Sequence, residues 1–266
     1  HYSERGVFPE FPVTLYTENG APVKWPEGAY STDFYTDKLI EYIQSNSQDG
    51  KPFFAFAAYT SPHWPLQVDS TYWKKYEGRY DQGYEVLREQ RLKSLKKAGM
   101  ISQTAILPPL HPRVKPWSSL SQEEQKKESR KMELYAGMVD NLDYNIGRLI
   151  AFLKEAGQYE NTLIVFMSDN GAAAEDFYYH EYYGPFLQEN YSDALQDMGK
   201  ENSFISYGPQ WAEAGSAPFF YFKGYTTEGG MNAPMIIAGK GVEGKGSINP
   251  AFLTVMDLAP TFYELA

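Results

Sequence analysis

The sequence predicts an α/β protein in which helices cover both faces of a central β-sheet. Two segments with helical spacing of apolar residues are each followed by a short, almost entirely apolar run, and a third apolar run lies near the carboxyl end. Alternating helices and strands are typical of layered α/β folds. Because the runs offer apolar side chains to both sides, we expect the strands to be buried in a mostly parallel or mixed sheet.

The first predicted helix begins at Ser31 or Thr32, either of which can cap its amino end, and it stops at Gly50. Between these positions apolar residues recur at spacings of three and four, which predicts one buried helical face. The apolar run Pro52–Tyr59 follows directly. We expect this run to be a buried strand.

A charged connection interrupted by prolines covers residues 69–130 and is predicted to belong to the same domain. Within it, YEVLREQRLKSLKKAG predicts a helix and LPPLHPRVKPW predicts a loop. The charge run SLSQEEQKKESRK should begin a long helix, of which it forms the solvated face.

The second helix and strand repeat the pattern of the first. Apolar residues again recur at spacings of three and four before Gly157, which can cap the carboxyl end of the helix. Strands are predicted over Thr162–Met167 and Met235–Ala238. The connection Gly171–Gly230 between them is too long for an ordinary loop, so we expect it to be functional.

Composition excludes several classes of protein. The 266 residues are 42% hydrophobic, which is enough for a substantial core. A net charge of −10 argues against a nucleic-acid partner, because proteins that bind the phosphate backbone carry basic faces. The absence of cysteine excludes disulfides and thiolate metal sites within this sequence. No apolar stretch approaches the roughly 20 residues of a membrane span.

Polar residues that could take part in catalysis or metal binding lie near the ends of the predicted strands. His63 lies between two prolines after the first strand, Asp169 and Asn170 directly follow the second, and Lys223 precedes the third. In open α/β sheets, ligands bind beyond the carboxyl ends of the strands. We therefore treat these four residues as one candidate site.

Each of these residues also has a simpler interpretation. Asp169 and Asn170 offer hard oxygen ligands for Ca²⁺ or Mg²⁺, but Asp-Asn-Gly is also an ordinary turn sequence. Taken alone, His63 could be a hydrogen-bonded structural histidine and Lys223 a surface lysine. The residues by themselves leave these alternatives open, and only their joint occurrence favours a site.

Four segments, taken in order, resemble one known family over nearly all of residues 26–266. They are PFFAFAAYTSPHWPLQ, YAGMVDNLDYNIGRLIAFL, TLIVFMSDNGA and SYGPQWAEAGSAPFFYFKGYTTEGGMNAPMIIAG. In sequence and spacing these segments are similar to the type I sulfatases, especially bacterial arylsulfatases. The resemblance implies the alkaline-phosphatase-like fold, a central sheet between helices, and hydrolysis of a sulfate ester.

The resemblance also implies a role for each candidate residue. Asp169 and Asn170 match the positions that bind a divalent cation, usually calcium, with magnesium as the alternative. His63 matches the histidine that contacts the sulfate ester near its leaving oxygen. Lys223 matches the lysine that binds the sulfate group. The implied substrate is a small-molecule or saccharide sulfate ester.

The sequence departs from the family pattern in its nucleophile. The family uses a formylglycine made from Cys or Ser in a C/S-x-P/A-x-R signature, and no such signature occurs here. The adjacent aspartates that supply further cation ligands are also missing, because the sequence contains no Asp-Asp pair. We therefore expect residues 1–266 to be part of a sulfatase catalytic domain, without its amino-terminal, nucleophile-bearing part and its carboxyl-terminal subdomain.

Two other functions remain compatible with these residues. One is hydrolysis of a phosphoester or phosphonate monoester by an enzyme of the same superfamily, which would share the metal and the tetrahedral anion. The other is an inactive homologue that binds sulfated polymers. Family resemblance further implies a periplasmic or secreted location.

Overall fold

The computed structural model describes residues 1–2, 5–46, 50–244 and 246–265. The helices in these ranges are α1 (Ser31–Asn46), α2 (Ser70–Trp73), α3 (Tyr84–Lys97), α4 (Gln122–Glu155), α5 (Gly184–Asn190), α6 (Gly208–Ser216), α7 (Glu228–Met231) and α8 (Leu258–Leu265). The strands pair antiparallel, β1 (Arg5–Phe8) with β2 (Phe11–Val13), β3 (Tyr16–Glu18) with β4 (Ala21–Val23), and β5 (Leu163–Met167) with β6 (Met235–Gly239).

The 34-residue helix α4 is set by signals at its two ends. Ser121 Oγ accepts the backbone N–H of Glu124 at 3.2 Å, and the Glu124 carboxylate accepts the Ser121 N–H at 2.7 Å, which completes a capping box. At the other end Gly157 has a φ of +68° and donates its N–H to the Lys154 carbonyl at 3.1 Å. The predicted beginning and end of this helix are confirmed. No helix in the described ranges is both long and apolar enough to cross a membrane.

The other predicted helices are also present within the described residues, but the predicted cap of the first is not formed: the Ser31 hydroxyl accepts from the His1 amino group, and Thr32 Oγ1 has no hydrogen-bond partner. Helix α1 begins at Ser31, and α3 occupies most of the segment predicted as a helix in the charged connection. The predicted end of α1 before Gly50 cannot be followed residue by residue, because 47–49 lie outside the described residues.

Helices α1 and α4 are joined by buried polar side chains. Asp33 Oδ1 accepts hydrogen bonds from the Nδ2 atoms of Asn141 at 2.9 Å and Asn145 at 2.6 Å. Both asparagines are buried, and Arg148 donates to Asn145 Oδ1 at 2.8 Å. Buried polar groups are tolerated when they are paired in this way. The network therefore specifies how α1 docks on α4.

The long connection between β5 and β6 supplies much of the core. Its side chains Phe204, Tyr207, Trp211 and Phe222 are buried, and Trp211 packs in the same cluster as Leu134 of α4. The connection also contains helices α5 and α6. It is therefore a folded part of the domain, and side chains that it carries are held by core packing.

The strands predicted over 162–167 and 235–238 are present as β5 and β6, but their surroundings differ from the prediction. They pair antiparallel, with Leu163 opposite Gly239 and Met167 opposite Met235. Ile236 is 62% exposed and Phe166 is 38% exposed, so this pair is not buried on both faces. A pair of strands has few neighbours to cover it, which explains the exposure.

The predicted buried strand over Pro52–Tyr59 is wrong for this structure. No strand forms there, and Phe54 and Phe56 are 77% and 83% exposed. An apolar run becomes a strand only where another strand satisfies its N–H and C=O groups, and none in the described ranges pairs with it. Instead, Phe56 lies beside Tyr35 and Leu39 of α1.

Candidate active site

His63 lies in a turn and is oriented by its own backbone surroundings. Its N–H donates to the Thr60 carbonyl at 2.9 Å, and its Nδ1 lies 3.0 Å from the Trp64 carbonyl oxygen. Because a carbonyl can only accept, Nδ1 carries the proton, and the Nε2 lone pair is left for another partner. That nitrogen is therefore the one available for chemistry.

Lys223 is the partner of His63 in the folded chain. Its Nζ lies 3.4 Å from His63 Nε2, although 160 residues separate them in the sequence. The Lys223 backbone N–H also donates to the Ala172 carbonyl at 3.0 Å. Ala172 is two residues beyond Asn170, so the lysine is fixed beside the loop that follows β5. The structure thus brings His63 and Lys223 together and places the Lys223 backbone beside the loop that carries Asp169 and Asn170.

The Asp169–Asn170 pair follows the end of β5 at Met167, with Ser168 between them. Asp169 is exposed and Asn170 is half-buried. Asn170 Nδ2 donates to the Gly171 carbonyl at 2.8 Å, which leaves its Oδ1 to face other groups. This contact is local to the loop and is compatible with both the turn interpretation and a role as a ligand.

The oxygen atoms at this loop are of the type that a hard divalent cation binds, but they are too few to complete its coordination shell. One carboxylate and one amide oxygen match the oxygen ligands of Ca²⁺ or Mg²⁺. Calcium takes six to eight such oxygens. The ranges that the structure describes contain no group of three or more His, Asp or Glu side chains placed to hold a metal ion. Asp169 and Asn170 can therefore be only part of a cation site.

Glycines allow the loops of this site to lie in direct backbone contact. A Cβ on Gly171 would lie 1.8 Å from the Gly229 carbonyl oxygen, and one on Gly229 would lie 1.9 Å from the Tyr221 carbonyl oxygen. Gly171 also donates its N–H to the Gly230 carbonyl at 2.9 Å. Such distances exclude any side chain. The Glu-Gly-Gly turn therefore links the loop after β5 to the segment that carries Lys223, a role that its glycine pair could have signalled in the sequence.

Aromatic rings continue from His63 into the segment DFYYHEYYGPF. The ring of Trp64 lies 4.5 Å from His63 and 4.9 Å from Phe177, which lies 5.2 Å from Tyr183. Part of this segment packs around buried Tyr178. The inner rings of this segment are therefore part of a packed cluster, while His180 at the surface contacts neither Lys223 nor His63 in the structure described.

An acid at the edge of this region has an altered pKa. Burial raises the pKa of Asp176 above its usual range, and the charge of Lys131 acts in the opposite direction. Burial has this effect because it disfavours the charged form of a carboxyl group. Ionised Asp176 is therefore less favourable in the folded chain than in water.

Comparisons with known proteins place the chain among sulfatases. A family model described as Sulfatase matches residues 6–266. An uncharacterized sulfatase of Schizosaccharomyces pombe is 42% identical over 256 residues, which is 95% of this chain and 46% of that protein. An arylsulfatase of Klebsiella aerogenes is 38% identical over 255 residues, which is 95% of this chain and 54% of that protein. The chain thus spans about half the length of these relatives.

Solved structures show the fold. The crystal structure of Ps i-CgsB aligns with a TM-score of 0.56 at 24% identity, over 96% of this chain and 38% of that one. Its complex with k-i-k-neocarrahexaose aligns with a TM-score of 0.53 at 22% identity, over 100% and 43%. The alkaline-phosphatase-like fold class expected from the sequence is thereby confirmed.

Gly229→Ala tests the backbone contact at the centre of the site. The new Cβ would collide with the Tyr221 carbonyl, so we expect a loss of about 1–3 kcal/mol in the free energy of unfolding, measured by urea denaturation. Gly147→Ala in α4 is the matched control, because its Cβ would meet no atom within 4 Å. The control should gain about 0.4–1 kcal/mol. Equal effects of the two substitutions would contradict the contact.

Asp176→Asn tests the cost of the buried charge. Because the folded pKa of Asp176 is raised, the wild-type chain gains stability as pH falls from above that pKa towards the unfolded value near 4. We therefore expect Asp176→Asn to be more stable than wild type at pH 7, with a difference that shrinks as pH approaches about 4. Urea denaturation at several pH values measures it, with Asp143→Asn on the exposed side of α4 as the control for loss of a charge. A difference that does not change with pH would be inconsistent with this origin.

Proposed function

Because the chain belongs to the sulfatase family, we propose that it forms part of the catalytic domain of a sulfuric ester hydrolase. The reaction is cleavage of a sulfate ester to an alcohol or phenol and sulfate. The observation that carries the proposal is the 3.4 Å approach of Lys223 Nζ to His63 Nε2, beside the loop of Asp169 and Asn170. Two groups at this separation can contact different oxygens of one sulfate.

Lys223 is proposed to neutralise the sulfate group. Its ammonium can only donate hydrogen bonds, and sulfate oxygens can only accept them. A fixed positive charge aimed at these oxygens stabilises the charge that they carry in the transition state. The contact of the Lys223 backbone with Ala172 keeps that charge in place.

His63 is proposed to act on the departing oxygen. Its Nδ1–H is committed to the Trp64 carbonyl, so protonation of the ring would place a second proton on Nε2. In that form Nε2 can donate to the oxygen of the leaving alcohol, where negative charge develops. In this proposal the lysine stabilises charge on the sulfate oxygens, and the histidine donates a proton to the leaving oxygen.

A divalent cation, Ca²⁺ or Mg²⁺, is part of the proposal, with Asp169 and Asn170 among its ligands. Such an ion supplies charge stabilisation at the sulfate oxygens when it is bound. The nucleophile, a formylglycine, is proposed to lie outside these 266 residues, because the sequence has no Cys and no C/S-x-P/A-x-R signature.

The substrate is proposed to be a small-molecule or saccharide sulfate ester. The ring of Trp64 next to His63, and that of Phe177 next to Trp64, provide a surface suited to a ring-bearing substrate. A structural neighbour was solved in complex with a neocarrahexaose, which is consistent with a saccharide. The segment from Phe177 to Phe186 would then shape the choice of ester.

Hydrolysis of a phosphoester or phosphonate monoester is the alternative reaction, and an inactive homologue that binds sulfated polymers is the alternative role. The full-length protein should hydrolyse nitrophenyl sulfate faster than nitrophenyl phosphate if the proposal holds. The reverse preference would favour the phosphoester reaction, and a lack of both activities would favour the binding protein.

We expect the 266-residue chain to bind Ca²⁺ weakly, with a dissociation constant no tighter than about 10⁻⁴ M, because two ligands fall far short of the usual shell. Titration calorimetry of the chain with CaCl₂ measures this, and Asp169→Asn is the control for heat that arises elsewhere. Sub-micromolar binding that disappears in Asp169→Asn would show that the cation site is complete within this sequence.

His63→Ala and Lys223→Ala should respond differently to the leaving group in the full-length enzyme. Loss of a general acid slows esters of poor leaving groups most, so His63→Ala should slow alkyl sulfates about 10²-fold more than nitrophenyl sulfate. Lys223→Ala should slow both substrates alike, by roughly 10²- to 10³-fold, because it removes a group that stabilises charge on every sulfate. Values of kcat/KM across a series of leaving groups measure both effects.

The melting temperature of each variant is the control for structural damage. If both side chains were only structural, both variants would melt earlier and neither loss would depend on the leaving group. An equal loss for good and poor leaving groups in a stably folded His63→Ala enzyme would remove His63 from the general-acid role.

A further inference from the structure

We propose that His111 and Tyr225 are positioning residues for Lys223. The hydrogen bond between His111 Nε2 and the Tyr225 hydroxyl, 3.0 Å long, holds the segment that carries the lysine. This role rests on the proposed function of Lys223 as a sulfate-binding group. It goes further by assigning two residues that act on the site only through that lysine.

The tautomer of His111 follows from its neighbours. The backbone N–H of Arg113 donates to His111 Nδ1 at 3.1 Å, so Nδ1 is the acceptor and Nε2 carries the proton. The Nε2–H therefore donates to the Tyr225 hydroxyl. The His111 side chain is buried and that of Tyr225 is half-buried, so water has little access to this bond.

His111 itself is held by a buried carboxylate. Its backbone N–H donates to Glu213 Oε1 at 3.0 Å and to Oε2 at 3.1 Å. Glu213 lies on α6 with 0% exposure, and Arg88 of α3 approaches Oε1 at 3.9 Å. Arg88 also donates to the Pro108 carbonyl at 2.8 Å. Removing either ion would leave a buried charge unpaired, so this support is costly to break.

The segment around Lys223 is held on two sides. The Lys223 N–H is bound to Ala172, while the Tyr225 N–H donates to the Phe222 carbonyl at 3.2 Å and so closes a turn around the lysine. The His111 ring lies 5.3 Å from Phe222. Tyr221, at the start of this turn, has a φ of +62°, a left-handed conformation that a bulky residue keeps only where its surroundings enforce it. His111 is thus one of the groups that hold a turn with little intrinsic stability.

Tyr225→Phe is the substitution that isolates the proposed bond, because it removes one hydroxyl and leaves the ring. Tyr221→Phe is the matched control, since within the described residues the Tyr221 hydroxyl has no hydrogen-bond partner while its ring lies 4.5 Å from that of Tyr225. His111→Gln tests the other partner. If His111→Gln fails to fold, Tyr225→Phe still decides the question.

The first measurement is the rate at which acetic anhydride modifies Lys223 in the 266-residue chain, followed by mass spectrometry with exposed Lys97 as the internal reference. Release of the turn should raise the Lys223 rate in Tyr225→Phe by about three- to tenfold, the change that corresponds to the net contribution of one hydrogen bond. Tyr221→Phe should match wild type. An unchanged Lys223 rate in Tyr225→Phe would overturn the proposal.

The second measurement is kcat/KM in the full-length enzyme. Tyr225→Phe should lower it by a similar factor for alkyl and nitrophenyl sulfates, and adding Tyr225→Phe to Lys223→Ala should cause no further loss, because its effect passes through the lysine. Additive losses would overturn the proposal. If the parent enzyme hydrolyses no sulfate ester, the proposed function fails, and the acetylation rate still decides whether Tyr225 positions Lys223.

Discussion

The direct contact between backbone atoms of Gly171 and Gly229 is the constraint on which the rest of the site depends. It joins the loop that follows β5 to the short helix α7, which precedes β6. The backbone of Gly229 also lies against the carbonyl of Tyr221. Because no side chain intervenes, the distance between the two loops is set by main-chain geometry alone. The backbone that carries Asp169 and Asn170 and the backbone that carries Lys223 are therefore held next to each other.

The hydrophobic core anchors the segments that make this contact. Helix α4 packs against the connection between β5 and β6 through residues such as Leu134 and Trp211. Glu213 and Arg88, which are both buried, add a charged pair to this packing. A functional segment that is anchored by core side chains can hold a flexible lysine in one position at a lower entropic cost.

Signals from neighbouring residues predicted the helices well. Strand pairing and the proximity of site residues depend on contacts between distant positions, so the sequence predicted them less well. The capping box at Ser121 and the left-handed Gly157 are encoded by a few neighbouring residues, so their outcome could be inferred. The strand expected at Pro52–Tyr59 needed a pairing partner, which apolar composition cannot identify. The proximity of His63 and Lys223 was expected from their places near predicted strand ends and from family resemblance, because nothing local connects positions 160 residues apart. The link through His111 had no sequence signal beyond a lone histidine among prolines.

The hydrogen bond from His63 Nδ1 to the Trp64 carbonyl limits how protons can travel through the site. A histidine with both ring nitrogens accessible can relay a proton by receiving it on one side and releasing it on the other. Here Nδ1 of the ring is occupied by its hydrogen bond to the Trp64 carbonyl. Any proton that His63 gains or loses must therefore pass through Nε2, the same atom that faces Lys223. If His63 acts as the proposed general acid, reprotonation of Nε2 between turnovers requires water to reach the position that the substrate would occupy, so the product would have to leave before the histidine regains its proton.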